Sequence, residues 1–253
     1  MQSISVIIPT YNEADNLKEL LPLLHWADEI IIIDSFSTDT TVQIIQDFEV
    51  RFIQHQYEGP AAQKNRAIEL AKSTWILILD ADERPTDGLL AEIKALLCLE
   101  NIPYHAYWIY RRNFFMERKI NYSGWQNDKV IRFFQKKGCR YNNKQVHEEI
   151  ETLEDIGFLK AKIDHFTFRS LDHFSLKIRR YAQWSADDYS TKTTKVSCFH
   201  LWIKPLFRFI KHFILKRGFL DGKVGFIISS YMAWGVFLRY AYLYERQNKA
   251  KLD

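Results

Sequence analysis

Cysteine is scarce in this sequence of 253 residues. Cys98, Cys139 and Cys198 stand far apart, form no CxxC pair and leave an odd count. That argues against a zinc site or a disulfide framework and leaves reduced thiols in a cytosolic setting as the expectation. An excess of charge of one sign is missing too. The formal net charge is only +4, from 35 basic and 31 acidic residues, so the molecule as a whole is not built to bind nucleic acid. No basic stretch precedes the first apolar run, and that run, Ile4 to Ile8, stops at Pro9. It reads as a buried strand rather than a signal peptide. There is also no internal repeat and no low-complexity linker.

What the sequence does hold is enough apolar material for a core, 47% of residues, and a length that suits one sizeable α/β domain with a long C-terminal extension. The first hundred residues alternate strand and helix. Apolar strands are expected at Ser5–Ile8, Glu29–Ile33, Val50–Gln54 and Trp75–Leu79. Helices are expected at Glu13–Leu24, Thr40–Phe48, Pro60–Lys72 and Asp87–Leu97, the third with proline in its first turn. Continuous apolar strands separated by helices imply a mainly parallel sheet covered on both faces. Ligands of such sheets bind beyond the carboxyl ends of the strands. The polar clusters Thr10–Glu13, Asp34–Thr41 and Asp80–Glu83 all fall there. After Tyr104 the pattern changes, with strands expected at Ala106–Arg111 and Val130–Phe134. Ser170 caps a helix expected to run to about Tyr189.

Three clusters carry chemistry. In Asp80-Ala81-Asp82, two carboxylates at one strand end can both reach a hard cation, which would complete its shell with phosphate oxygens and water. The plain alternative is a solvated acidic turn. Asp34, at the end of the second strand, can accept hydrogen bonds from a base or a ribose, while Asp39 fits a helix cap as well. Lys64, in Gln63-Lys64-Asn65-Arg66, can meet a phosphate or lie on an exposed polar helix face.

Taken together, Val6-Ile7-Ile8-Pro9-Thr10-Tyr11-Asn12-Glu13, Asp34 through Thr41, Lys64-Asn65-Arg66-Ala67 and Asp80-Ala81-Asp82-Glu83 resemble, in order and spacing, the inverting glycosyltransferases of family 2. The resemblance implies the GT-A fold, a Rossmann-like mainly parallel sheet, and a nucleotide-sugar donor held by Pro9, Tyr11, Glu13, Asp34, Lys64 and Asp80. It implies Mg2+ or Mn2+ on Asp80 and Asp82, with His147 as a third ligand. Gly124-Trp125-Gln126-Asn127-Asp128, followed by Arg132, Gly138 and Val146-His147-Glu148, is similar to the family's later motifs. Asp128 then falls on the catalytic base, although Asn127 stands where the family commonly has glutamate. Glu148 is the second candidate for the base.

The last third has its own character. In His200–Arg217 an apolar stripe of Trp202, Ile203, Leu206, Phe207, Ile210, Phe213 and Ile214 is interleaved with Lys204, Arg208, Lys211, His212 and Lys216. That is the pattern of an amphipathic helix lying in a membrane interface. Residues 225–244 are long enough to span a bilayer, but Arg239 and the Ser229-Ser230 pair favour a buried or interfacial helix. Residues 199–245, with Pro205, Phe209 and Gly218-Phe219-Leu220-Asp221-Gly222, resemble the glucosyltransferases of lipopolysaccharide inner-core assembly. The division expected is a GT-A domain over 1–198, with a nucleotide-sugar half (1–100) and an acceptor half (101–170), then a membrane-associating helical segment over 199–253. The function implied is transfer of a hexose, glucose from UDP-glucose, to a lipid-anchored inner-core sugar at the cytoplasmic face of the bacterial inner membrane. The alternatives are the same fold acting on another lipid-linked or capsule acceptor, and a membrane-surface binding protein with a degenerate transferase site.

Overall fold

The computed structural model describes residues 2–142 and 149–249. The chain gathers into two compact units, Met1–Arg111 with Asp128–His165, and Arg112–Asn127 with Phe166–Asp253.

The first unit is built on a twisted sheet. Its strands β1 (Ile4–Thr10), β2 (Glu29–Asp34), β3 (Arg51–Gln54) and β4 (Trp75–Ile78) alternate with helices α1 (Ala14–Leu20), α2 (Thr41–Ile45) and α3 (Pro60–Leu70). These four strands lie parallel in the order β3-β2-β1-β4, as the helical crossovers between them require. The short strand β5 (Glu83–Pro85) leads into α4 (Asp87–Leu97), whose N-terminus is capped by the Thr86 hydroxyl. The other half of the sheet uses β6 (Ala106–Phe115), β7 (Arg118–Lys119), β8 (Lys129–Gln135) and β11 (Ile156–Phe168), and β9 (Arg140–Tyr141) pairs with β10 (Ile150–Glu151) apart from it. Beyond β4 the order continues β8-β6-β11-β5, and the pairs β4·β8, β6·β8 and β11·β5 are antiparallel. The parallel half is therefore the one that the apolar runs foretold, and the sheet as a whole is mixed.

Side chains alternate across β1. Ile4, Val6 and Ile8 face one core cluster with Leu17 and Leu20 of α1, Ile45 of α2 and Leu89, Ile93 and Leu97 of α4. Ile7 faces the other, with Ile31, Ile33 and Ala61, Ala67 and Ile68 of α3. A strand buried on both sides has no polar face to spare, which is why these segments read as unbroken apolar runs.

The second unit is helical. Ser170 accepts from the His173 amide and caps α5 (Leu171–Ser190). A helical run follows, with α6 (Lys204–Ile210) flanked by π-helical turns at Phe199–Ile203 and Lys211–Leu215. A tight turn at Gly218–Asp221 then opens α7 (Gly222–Lys249). Phe174 of α5 stacks on Tyr231 of α7 at 5.0 Å, and Tyr189 meets Tyr240 edge-on. The approach at the turn is closest at Gly225, where an added Cβ would lie 1.9 Å from the Gly218 carbonyl oxygen. Only glycine fits there. Asp221 accepts hydrogen bonds from the Asn121 and Tyr122 amides and from the Ser123 hydroxyl, at 3.0, 3.1 and 2.8 Å. His212 was expected among the outward basic residues. The structure buries it, with Nδ1 2.9 Å from the Ser123 carbonyl oxygen.

Candidate active site

The site lies in the first unit, where β1, β2 and β4 end. Thr10 and Asp34 are register partners at the ends of β1 and β2, so the two loops that follow leave side by side. Asp34 is fully buried and accepts from the Ser37 amide at 2.9 Å and from the Ser37 hydroxyl, closing a turn in which Phe36 is left-handed. Asn12 Oδ1 accepts from the Thr38 amide at 2.8 Å and ties the first loop to the second. Pro9, Tyr11, Glu13 and Asp34 are thereby brought together, with Tyr11 more than half exposed. Glu13 Oε2 accepts from the Asn16 amide side chain, and its own amide donates to the Thr41 hydroxyl. The Asp39 carboxylate accepts from the Thr41 amide at 2.9 Å, a local turn that leads into α2, whose N-cap position is taken by Thr40.

The third loop is organised by charge. Lys64 is buried on α3, not on an exposed helix face, and its Nζ stands 3.2 Å from Asp80 Oδ1. Arg132 of β8, also buried, donates to Asp80 Oδ2 and to Glu83 Oε1, the latter at 2.9 Å. Its Nη1 reaches the Tyr141 hydroxyl at 3.3 Å. Glu83 is fully buried, its Oε2 accepts from the Asp80 amide at 3.0 Å, and its Oε1 also faces Arg111 Nη1 at 3.3 Å. Arg111 of β6 holds Asp128 with two parallel bonds, Nε to Oδ2 at 2.9 Å and Nη2 to Oδ1 at 2.7 Å. Lys64, Asp80, Arg132, Glu83, Arg111 and Asp128 thus form one chain of alternating sign.

That alternation is what makes the burial tolerable. Burial pushes the Asp80 carboxyl up, but Arg132, Lys64 and Arg111 outweigh it and hold the group well below the usual carboxylate range. Burial likewise draws Arg132 down, and Asp80 and Glu83 more than reverse it. Removing one member of such a buried set typically costs about 3–5 kcal/mol, because its partner is left uncompensated.

Asp82 points elsewhere. One carboxylate oxygen lies 3.4 Å from His165 Nε2 of β11, and about a quarter of its side chain is exposed. Among the described residues no group of three or more His, Cys, Asp or Glu side chains converges on one point. The pair Asp82 and His165 nevertheless offers an oxygen and an imidazole donor side by side, a set that suits a divalent cation completing its shell with phosphate and water. His147 and Glu148 lie outside the described residues. Glu83, Arg111 and His165 were not singled out from the sequence. Arg111 and His165 enter from β6 and β11, and no local motif announces either residue.

The model for the family described as Glycosyl transferase family 2 matches residues 5–153. The chain belongs to glycosyltransferase family 2. Its mixed sheet with helices on both faces is that of the GT-A fold, and a long C-terminal helical extension follows it. An uncharacterized glycosyltransferase of Rickettsia felis is 30% identical, over 99% of this chain and 93% of that one. The lipopolysaccharide core biosynthesis glycosyltransferase LpsC of Rhizobium meliloti is 26% identical, over 96% of this chain and 92% of that one. Among solved structures, S. aureus TarS 1–349 in complex with UDP gives a TM-score of 0.48 at 17% identity, covering 98% of this chain and 92% of that one. The family match ends at residue 153, so His165, α5, α6 and α7 lie beyond it.

Proposed function

We propose that this glycosyltransferase moves glucose from UDP-glucose onto a lipid-anchored sugar of the lipopolysaccharide inner core, with inversion at the anomeric carbon. The observation that carries the reading is the charge chain that links the Asp80–Glu83 turn to Asp128. It ties a donor-side carboxylate and a candidate base into one rigid arrangement. Similarity to LpsC along nearly its whole length supports a lipopolysaccharide core acceptor, and the likeness of residues 199–245 to inner-core glucosyltransferases supports glucose.

In this reading Pro9, Tyr11, Glu13 and Asp34 receive the nucleoside, and Lys64 answers the diphosphate from beside Asp80. Asp82 and His165 would hold Mg2+ or Mn2+, which would supply positive charge against the leaving diphosphate. Asp80 has Lys64 and Arg132 on its oxygens, so it serves as the charged floor of the site. Asp128 takes the proton of the acceptor hydroxyl as that oxygen bonds to the anomeric carbon. The bond from that carbon to the diphosphate breaks on the opposite side, and configuration inverts.

The helical extension brings the enzyme to the acceptor. No Asp or Glu occurs between Asp188 and Asp221, while Lys204, Arg208, Lys211, Lys216 and Arg217 do. Trp202, Leu206, Phe207 and Ile214 are at least half exposed on the same run. Apolar side chains together with cations suit an anionic headgroup layer. The helix Gly218–Asn248 is long and apolar enough to cross a bilayer. However, it lies along α5, whose exposed Asp188 and Arg180 would have to enter the hydrocarbon with it. These features support a peripheral enzyme, and the reading takes its surface to be the cytoplasmic face of the inner membrane.

Purified enzyme, screened across nucleotide-sugars with extracted core lipid, with and without EDTA, tests the reading. UDP-glucose should be the productive donor and EDTA should stop transfer. Turnover only with another donor or a non-core acceptor would overturn the substrate assignment.

A further inference from the structure

Glu83 belongs to neither the donor set nor the base, yet it sits where the two are joined. It is fully buried. One oxygen, Oε2, is committed to the Asp80 amide at 3.0 Å, and the Glu83 amide returns a bond to the Asp80 carbonyl oxygen at 2.8 Å. The carboxylate is therefore fixed to the turn that carries Asp80 and Asp82. The other oxygen, Oε1, lies between two guanidinium groups, Arg132 Nη2 at 2.9 Å and Arg111 Nη1 at 3.3 Å. Arg111 also donates, from Nε and Nη2, to both oxygens of Asp128.

We propose that Glu83 is a positioning residue for Asp128, acting through Arg111, so that the base is held in register with the donor-binding turn. This rests on the reading of Asp128 as the base.

Three physical points lead there. Arg111 is a rigid planar fork, so fixing one arm fixes the direction of the other two donors. Asp128 accepts bonds from both of those donors, so the orientation of its carboxylate follows that of the guanidinium. Arg111 and Arg132 also share Oε1; burial and the Arg132 charge both work against a charged Arg111, and Glu83 and Asp128 outweigh them. A single anion between two like charges is what lets both stand there at once. With a neutral amide at position 83, Arg111 would lose its fixed arm and draw on Asp128 alone.

The test is a double-mutant cycle on the full chain, using Glu83→Gln, Arg111→Gln and the two together. Turnover is measured with acceptor, UDP binding is measured by calorimetry in EDTA, and each variant is melted. UDP binding identifies the variants whose donor half is folded. Among these, Glu83→Gln should lower kcat by on the order of 10- to 100-fold, as expected within one ion-pair network. The double variant should be no slower than Arg111→Gln alone, because Glu83 has nothing left to act through. Glu83→Asp, which keeps the charge but draws it back by one methylene, should recover part of the loss. If the two single losses multiply in the double variant, or if Glu83→Gln turns over like wild type, the proposal fails. Should Glu83→Gln not fold, Glu83→Asp takes its place in the cycle and the same criterion applies. Asp128→Asn, run alongside, separates the two failures. Near-normal turnover there sinks the assignment of the base, whereas an inactive Asp128→Asn with multiplying losses sinks only the role of Glu83.

Discussion

Lys64 lies on the buried side of α3, where an amine is tolerated only if an anion answers it. Asp80 does so at 3.2 Å, and the same carboxylate is gripped by Arg132. Lys64→Met should therefore leave Asp80 leaning on Arg132 and weaken UDP binding, seen as a rise in the calorimetric Kd, without unfolding the sheet. Asp82 stands apart from that pairing, so Asp82→Asn should remove the metal-dependent part of donor binding. Calorimetry with and without Mn2+ would then give the same Kd, and transfer would cease. For the base, Asp128→Asn should cost on the order of 100-fold or more in kcat while leaving UDP affinity intact. Residue by residue, the places of Asp34, Asp80 and Lys64 were legible in the sequence because they sit at the ends or starts of elements whose apolar runs are unmistakable. Arg111 and His165 were not, because β6 and β11 reach the site only through antiparallel pairing, and register across a sheet leaves no mark in a local window. Glu83 was visible as the fourth residue of a motif, but its burial depends on two arginines 28 and 49 positions away.

At the scale of elements, α6 and α7 meet in a way that local pattern reading only half anticipates. The apolar stripe of the run 199–217 is exposed as its spacing suggests, yet His212 turns inward to the Ser123 carbonyl oxygen. Burial lowers the His212 pKa from 6.5, and Arg208, Lys211 and Lys216 lower it further against the opposing pull of the Ser123 bond. The unfolded chain therefore takes up a proton more readily than the folded one, and stability falls as pH drops below about 6.5. A thermal melt of the helical unit should weaken through that range, and His212→Gln should flatten the dependence. At the turn, Gly225→Ala forces a methyl onto the Gly218 carbonyl oxygen and should cost about 3 kcal/mol, measured by denaturant melt. Lys211 and Lys216 are exposed, whereas Lys204 bonds the Tyr240 hydroxyl and Arg208 approaches His212. Neutralising the exposed pair to glutamine should weaken binding to anionic vesicles by about 30-fold at low salt, near 1 kcal/mol per cation. Co-sedimentation at two salt concentrations checks it, and binding unmoved by salt or by these changes would exclude an interfacial role for the run.

For the whole molecule, the parallel half of the sheet could be drawn from apolar runs and helix spacing alone, since each βα step closes on its neighbour. The division into units could not, because each unit is assembled from two separated stretches of chain. Residues 112–127 join the helical unit although they are read in the middle of the sheet strands. Their attachment has a temporal consequence. The amides of Asn121 and Tyr122 wait for a carboxylate that lies 100 and 99 positions later. On a ribosome adding about 5–20 residues per second, that partner is synthesised roughly 5–20 s after the segment it secures. Throughout that interval the nascent polypeptide can pair β1 to β4 but cannot seat its middle segment. A translation product that stops short of Asp221 would never do so, and would offer proteases a permanent opening there.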